Sequence, residues 1–206
     1  MLVSLRHPPS VSSCPVRAGE HQRRRLGKHR RQRGGKHPAL PVQISTSIEG
    51  RTCVQSHVEL GCTPLEAFQL VATAERWPEW VASSSFVDSE GLLRVDDTIT
   101  EWFGLLGLRL FSTEWRTTES DEGKSLEILS QDVLGIVQNV VLRFGMEKAG
   151  ERCCRFDFVF SWECRNAAAL VLDRLFLRFF AAVDTYIALL SLKQLVESEI
   201  GRRPDS

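Results

Sequence analysis

Thr52–Leu60 alternates, with Val54 and Val58 set against Gln55, His57 and Glu59, which predicts a first strand with one buried face. Thr63-Pro64-Leu65-Glu66 then carries the marks of a helix start. Thr63 serves as N-cap, Pro64 takes the first helical position, and Glu66 closes a capping box. The helix runs from Leu65 to about Ala72, with Leu65, Phe68 and Val71 at helical spacing. A second helical piece over Glu75–Trp77 is expected to stop at Pro78. Beyond Trp80 the period falls to two. Strands are predicted over Ser84–Val87, Thr98–Phe103, Leu108–Thr117, Ser125–Ser130, Val137–Glu147 and Arg152–Glu163. Glycines fall at or beside the breaks, where turns call for positive φ. Short turns between strands of this length suit an antiparallel meander.

The last strand has the clearest pattern: Phe156, Phe158, Phe160 and Trp162 share one face, and Arg155, Asp157, Ser161 and Glu163 the other. From Ala167 to Ile200 the period lengthens to that of a helix. Leu172, Phe176, Phe179, Val183, Ile187 and Leu190 form one apolar stripe, widened by Leu175, Tyr186 and Leu189, with Arg174 and Arg178 on the opposite face. A helix of about 30 residues spans ~45 Å, enough to cross a whole sheet. The prediction is one α+β domain over residues 49–200, a curved antiparallel sheet wrapped around a long C-terminal helix. A short tail follows over 201–206.

That element order resembles the helix-grip fold of the START-like (SRPBCC, Bet v 1-like) superfamily. The local text agrees. Thr63-Pro64-Leu65-Glu66-Ala67-Phe68, followed by Glu75-Arg76-Trp77-Pro78-Glu79-Trp80, is similar to that superfamily's opening. Phe156-Asp157-Phe158 with Trp162-Glu163, just ahead of the long helix, is similar to the close of its polyketide cyclase/dehydrase and coenzyme Q-binding branch. The resemblance implies a deep cavity between concave sheet and C-terminal helix, where family members bind lipids, polyketides, quinones or hormones. The candidates to line it are Trp80, Phe103, Trp115, Phe156, Phe158, Phe160, Trp162, Phe176, Phe179 and Val183. Each is also what an ordinary apolar core would contain. The expected partner is a hydrophobic small molecule, carried without catalysis by a monomer.

Charge divides the chain. Residues 1–48 hold ten Lys or Arg against one acid, Glu20, and the remainder of the chain has a net charge of −9. The first segment has no apolar periodicity and is rich in Pro, Gly, Ser and Arg, so it is expected to be a disordered extension. An Arg- and Ser-rich, acid-poor N-terminus resembles an organelle transit peptide, and Val16-Arg17-Ala18 resembles a chloroplast cleavage region. A chloroplast location is therefore expected, with the cytoplasm as alternative. The rival reading, a nucleic-acid-binding tail, lacks the aromatic residues that would stack bases among its arginines. The longest apolar run, Leu175–Leu192, contains Arg178 and Asp184, which favours a buried helix over a membrane span. Six cysteines without a C-x-x-C pair read as reduced thiols.

Chemistry is sparse in the predicted domain. It contains one histidine, His57, on an outward strand position, and one tyrosine, Tyr186. Cys153 and Cys154 are adjacent and so point to opposite faces of a strand. No metal-ligand cluster, phosphate loop or dinucleotide fingerprint occurs, so neither metal nor cofactor is expected. An enzyme of the polyketide cyclase/dehydrase kind would need a buried acid. Glu101, Asp157 and Glu163 are the candidates, with Arg143 and Arg155 as their partners or as contacts to a polar ligand group. Leu105 and Leu106 sit at a predicted hairpin tip, where they would guard the cavity mouth or touch a membrane surface.

Overall fold

The computed structural model describes residues 42–46, 51–105 and 108–200. Eight strands form one antiparallel sheet: β1 (Gln43–Thr46), β2 (Arg51–Leu60), β3 (Ser84–Asp88), β4 (Thr98–Leu105), β5 (Leu108–Asp121), β6 (Ser125–Val133), β7 (Val137–Gly150) and β8 (Cys153–Cys164). Their order is β1-β2-β8-β7-β6-β5-β4-β3. The meander β3 to β8 therefore closes on β2, and the helical connection after β2 carries the chain to the far edge. Register shifts in four of the pairings, β3/β4, β4/β5, β5/β6 and β7/β8, bend the sheet as bulges do.

The connection begins with α1 (Pro64–Ala72). Thr63 caps it as expected: its Oγ1 accepts the Glu66 amide at 3.2 Å, and its own amide donates to Glu66 Oε2 at 2.9 Å. A 3₁₀ turn follows over Ala74–Glu79, and Pro78 lies inside it instead of ending it. A 3₁₀ turn this short asks little of the missing proline amide. The C-terminal helix has three parts: α2 (Ala167–Leu172), a π turn over Asp173–Leu177, and α3 (Arg178–Ile200). Each wider turn of this kind adds one residue and rotates the rest of a helix by ~100°.

One sequence expectation changes here. β1 pairs with β2 through Gln43–Thr46, inside the segment expected to be a disordered extension, so the folded part begins before residue 49. Its strand character comes from that pairing, since Ile44 is the only apolar residue of Gln-Ile-Ser-Thr and is itself exposed. The basic run with its targeting and nucleic-acid readings, the 201–206 tail and the Leu105–Leu106 side chains lie outside the described residues.

The core lies between the concave sheet face and the helices. Phe144 and Phe156 stack at 5.9 Å, and Trp77 and Trp80 pack on Phe144 at 6.5 and 6.2 Å. Ala188, Leu189, Leu192 and Val196 of α3 are buried in the same cluster. One turn is strained. Leu134, between β6 and β7, has φ 58° and is followed by Gly135 at φ 65°. Asn-Gly is the usual occupant of such a pair, and leucine in that conformation costs roughly 1–2 kcal/mol.

Candidate functional site

A cavity of about 210 Å³ opens between the concave face and α3. Its construction follows from strand alternation. Ile99, Glu101 and Phe103 point inward from β4, and Thr113, Trp115 and Thr117 are the buried alternates of β5. β8 contributes Phe158, Phe160 and Trp162, and β7 adds Val140, Leu142 and Phe144. Trp77 of the 3₁₀ turn and Trp80, the residue that follows it, join the lining. The helix supplies Leu177, Ala181, Asp184, Thr185 and Ala188. Small alanines on the facing side of α3 leave the space that larger side chains would fill.

Six of the ten predicted lining residues meet at this cavity: Trp80, Phe103, Trp115, Phe158, Phe160 and Trp162. Phe156 is fully buried but belongs to the packed core beside Phe144. Phe176, Phe179 and Val183 are corrected outright, being 62%, 58% and 57% exposed on the outer side of the helix. The inward face runs through Asp173, Leu177, Ala181, Asp184 and Ala188, one position along from the predicted stripe. Choosing the bulkiest apolar residues as the core face selected the wrong side of a helix that is apolar nearly all round.

The cavity wall is apolar except at one pole. Glu101 is 2% exposed, and its Oε2 accepts the Trp115 indole N–H at 2.9 Å. Burial pushes its carboxyl up to about 7. Ser84 and the Trp115 hydrogen bond pull it back down, and Asp184 adds to the rise. Ser84 Oγ has no hydrogen-bond partner of ordinary geometry among the described residues, so it acts on Glu101 as a nearby dipole. Thr113 Oγ1, on the residue paired with Glu101 across β4 and β5, is likewise buried without a partner among the described residues. Asp184, also in the lining, has an Oδ2 that accepts the Ser83 hydroxyl at 2.8 Å. Burial raises the Asp184 carboxyl too, against the lowering effect of Ser83. Among the described residues no Lys, Arg or His lines the cavity. Two carboxyls in an apolar chamber without a cation favour their neutral, hydrogen-bond-donating forms.

The other candidate ions face away. Asp157 pairs with Arg155 at 3.0 Å on the exposed side of β8. Glu163 accepts from Arg51 and Asn139, each at 2.8 Å. Arg143 Nε donates to Glu127 Oε2 at 2.7 Å. His57 is on the outward face of β2, half-buried. Burial pushes the thiols of Cys62 up to about 12 and Cys154 up to about 11, which keeps both protonated at neutral pH. Asp184 escaped the sequence reading, although a signal was available. It lies three residues after Ala181 and four before Ala188, so a single acid shares a helix face with small residues.

In sequence the chain matches no family model and none of the curated proteins. Its fold is shared with solved structures. The Zhui aromatase/cyclase of a Streptomyces species is 10% identical, with a TM-score of 0.59 over 73% of this chain and 96% of that one. The di-domain aromatase/cyclase StfQ of the steffimycin biosynthetic pathway is 9% identical, with a TM-score of 0.61 over 74% of this chain and 53% of that one. A protein from Mycobacterium smegmatis is 16% identical, with a TM-score of 0.56 over 77% of this chain and 99% of that one. The fold is the helix-grip fold, and at these identities the likeness is one of fold.

Proposed function

We propose that the protein binds an uncharged, ring-bearing apolar small molecule whose polar group is hydrogen-bonded at the Glu101–Asp184 pole. The observation that carries this reading is the cavity itself, walled by aromatic and aliphatic groups and polar at one place. Apolar area taken from water supplies the affinity, at ~25 cal/mol per Å². The pole supplies orientation, as the few convergent polar groups of ligand pockets do. The volume of about 210 Å³ is below the ~300–1,000 Å³ of ordinary ligand pockets, so a compact ring system fits better than a long acyl chain. A carboxylate ligand is disfavoured, because it would meet two acids and, among the described residues, no cation. The aromatase/cyclase names of two structures with this fold fit a ring-bearing ligand.

Two probes of equal ring size test the reading. 2-Naphthol should bind the purified full chain at least about tenfold more tightly than 2-naphthoate, a gap of ~1.4 kcal/mol. Ala181→Phe, which fills the chamber from α3, should lose 2-naphthol binding and keep the thermal transition. Equal affinity for the two probes, or unchanged binding in the folded variant, overturns it.

The raised carboxyl of Glu101 favours a second reading, a cyclase/dehydrase-like enzyme. A carboxyl near neutrality is suited to proton transfer at physiological pH. In D₂O such a site should speed deuterium exchange beside the carbonyl of 2-tetralone, and Glu101→Gln should abolish the acceleration. Exchange at the rate of buffer alone leaves binding as the function.

A further inference from the structure

We infer that the outer face of α3, together with the Leu134 turn, docks on an anionic phospholipid bilayer and brings the cavity mouth to its surface. Leu175, Phe176, Phe179, Phe180, Val183 and Ile187 are all exposed, five of them outside the cavity lining and Phe180 at its rim. Side chains three and four positions apart share a helix face, so the six form one continuous stripe. Such a contiguous apolar patch is uncommon on a water-facing surface. Arg174 is the only exposed charged residue from Val171 to Ile187; Asp173 is buried and Asp184 turns inward to Ser83.

The stripe reaches the cavity. Phe180 is 65% exposed and also lines the chamber, and so is Leu134 at 57%. Leu134 holds the left-handed conformation, in which Asn or Gly is the low-energy occupant. The chain therefore keeps an exposed leucine at the rim against its backbone preference. A mouth rimmed with apolar side chains suits passage of an apolar ligand from lipid into the chamber. That part rests on the proposed binding function, while docking itself does not.

Charge selects the occupant. The folded part is acidic, yet this face exposes a cation and no acid. The chain enters the fold at β1, which packs against α3, and all ten bases of the N-terminal segment precede that strand. An apolar stripe and a tethered polybasic segment are the two signals that together hold a protein on an anionic surface, where either alone is weak.

The experiment is co-sedimentation of the full chain with phosphatidylcholine vesicles holding roughly 30% phosphatidylserine, the lipid that gives the bilayer its negative potential. Arms at low salt and at about 0.5 M NaCl separate the signals, because salt screens the basic segment and leaves apolar insertion in place. Wild type should stay bound at high salt. The triple variant Phe176→Ser, Phe179→Ser, Val183→Ser should lose binding there about fivefold or more. It alters only exposed positions, so its thermal transition and its 2-naphthol affinity without vesicles should match wild type. Vesicle binding that disappears entirely at high salt assigns the contact to the basic segment alone and overturns the inference. Equal sedimentation of variant and wild type overturns it as well. A vesicle-indifferent wild-type dimer that the variant converts to monomer would make the stripe a self-association surface, also against it.

Discussion

Asp173→Ala should cost ~3–5 kcal/mol of folding free energy, as breaking a buried ion pair from one side does. Asp173 is wholly buried, and three donors converge on its carboxylate. These are Thr52 Oγ1 at 2.9 Å, Trp162 Nε1 at 2.9 Å and Arg178 Nη2 at 2.6 Å. Truncation leaves a guanidinium, itself mostly buried, and two further N–H or O–H donors without an acceptor. Asparagine does not repair this, since its amide adds two donors where only acceptors are needed. Removing the charge as well, in Asp173→Ala with Arg178→Met, should recover part of the loss. Urea denaturation of the three proteins measures it, and a single-variant cost below about 1 kcal/mol would refute the account. The network matters for the site because it fastens the helix to β2 and β8 at the π turn. Leu177, the last residue of that turn, and Phe180, Ala181 and Asp184 beyond it line the cavity.

The contrast between Asp173 and Thr63 shows what could be read from sequence. A helix start is local. Thr63, Pro64 and Glu66 satisfy each other within four residues, so their spacing alone predicts the cap that the structure contains. The strands from β2 to β8 are local in the same sense, because a period of two states which side chains are buried. Asp173 bonds to residues 121 and 11 positions away, and its role follows only from the sheet order that brings β2 beside β8. β1 was invisible for the same reason: Gln-Ile-Ser-Thr becomes a strand by pairing with β2. The helix failed differently. Its period was legible but its phase was not, since large apolar residues stand outside and alanines inside. That inversion is what a helix bordering a cavity on one side and presenting an apolar face on the other produces. Glu101 was half legible. Its position between Ile99 and Phe103 puts it on the inward face of β4, whereas acids on strands usually face water. The notion of a purely apolar carrier weakens on this residue, because a buried carboxyl inside the chamber is chemically suited to orienting a ligand or to moving a proton.

Glu101 should also make the fold less stable as pH rises, the reverse of ordinary acid denaturation. Its carboxyl has a pKa of about 7 in the folded protein against 4.5 for an unconstrained glutamic acid. Below the unfolded value both states are protonated, and the neutral buried carboxyl carries no ionic penalty. Between 4.5 and about 7 the unfolded chain releases its proton while the folded one retains it, so unfolding gains with each step in pH. Above about 7 the folded protein must hold a buried carboxylate near Asp184, with no cation in the cavity among the described residues, and the loss levels off. The total is on the order of 3 kcal/mol, at ~1.4 kcal/mol per pH unit. Asp184, raised by burial, tilts the curve in the same direction. Glu79, lowered chiefly by its hydrogen bond from Arg76, acts below pH 4.5 and leaves this window alone. Glu163 does the same, because its bonds from Asn139 and Arg51 outweigh its burial. Urea midpoints at pH 5 and pH 8 should therefore differ markedly in wild type. The difference should shrink to the Asp184 contribution in Glu101→Gln, which keeps an acceptor for Trp115 Nε1 and cannot ionise. A slope that survives the substitution unchanged would place the titration elsewhere. A bound phenol that donates a hydrogen bond to the carboxylate should flatten the wild-type slope by stabilising the ionised form, which makes the pH dependence of stability a direct readout of whether the pole is occupied.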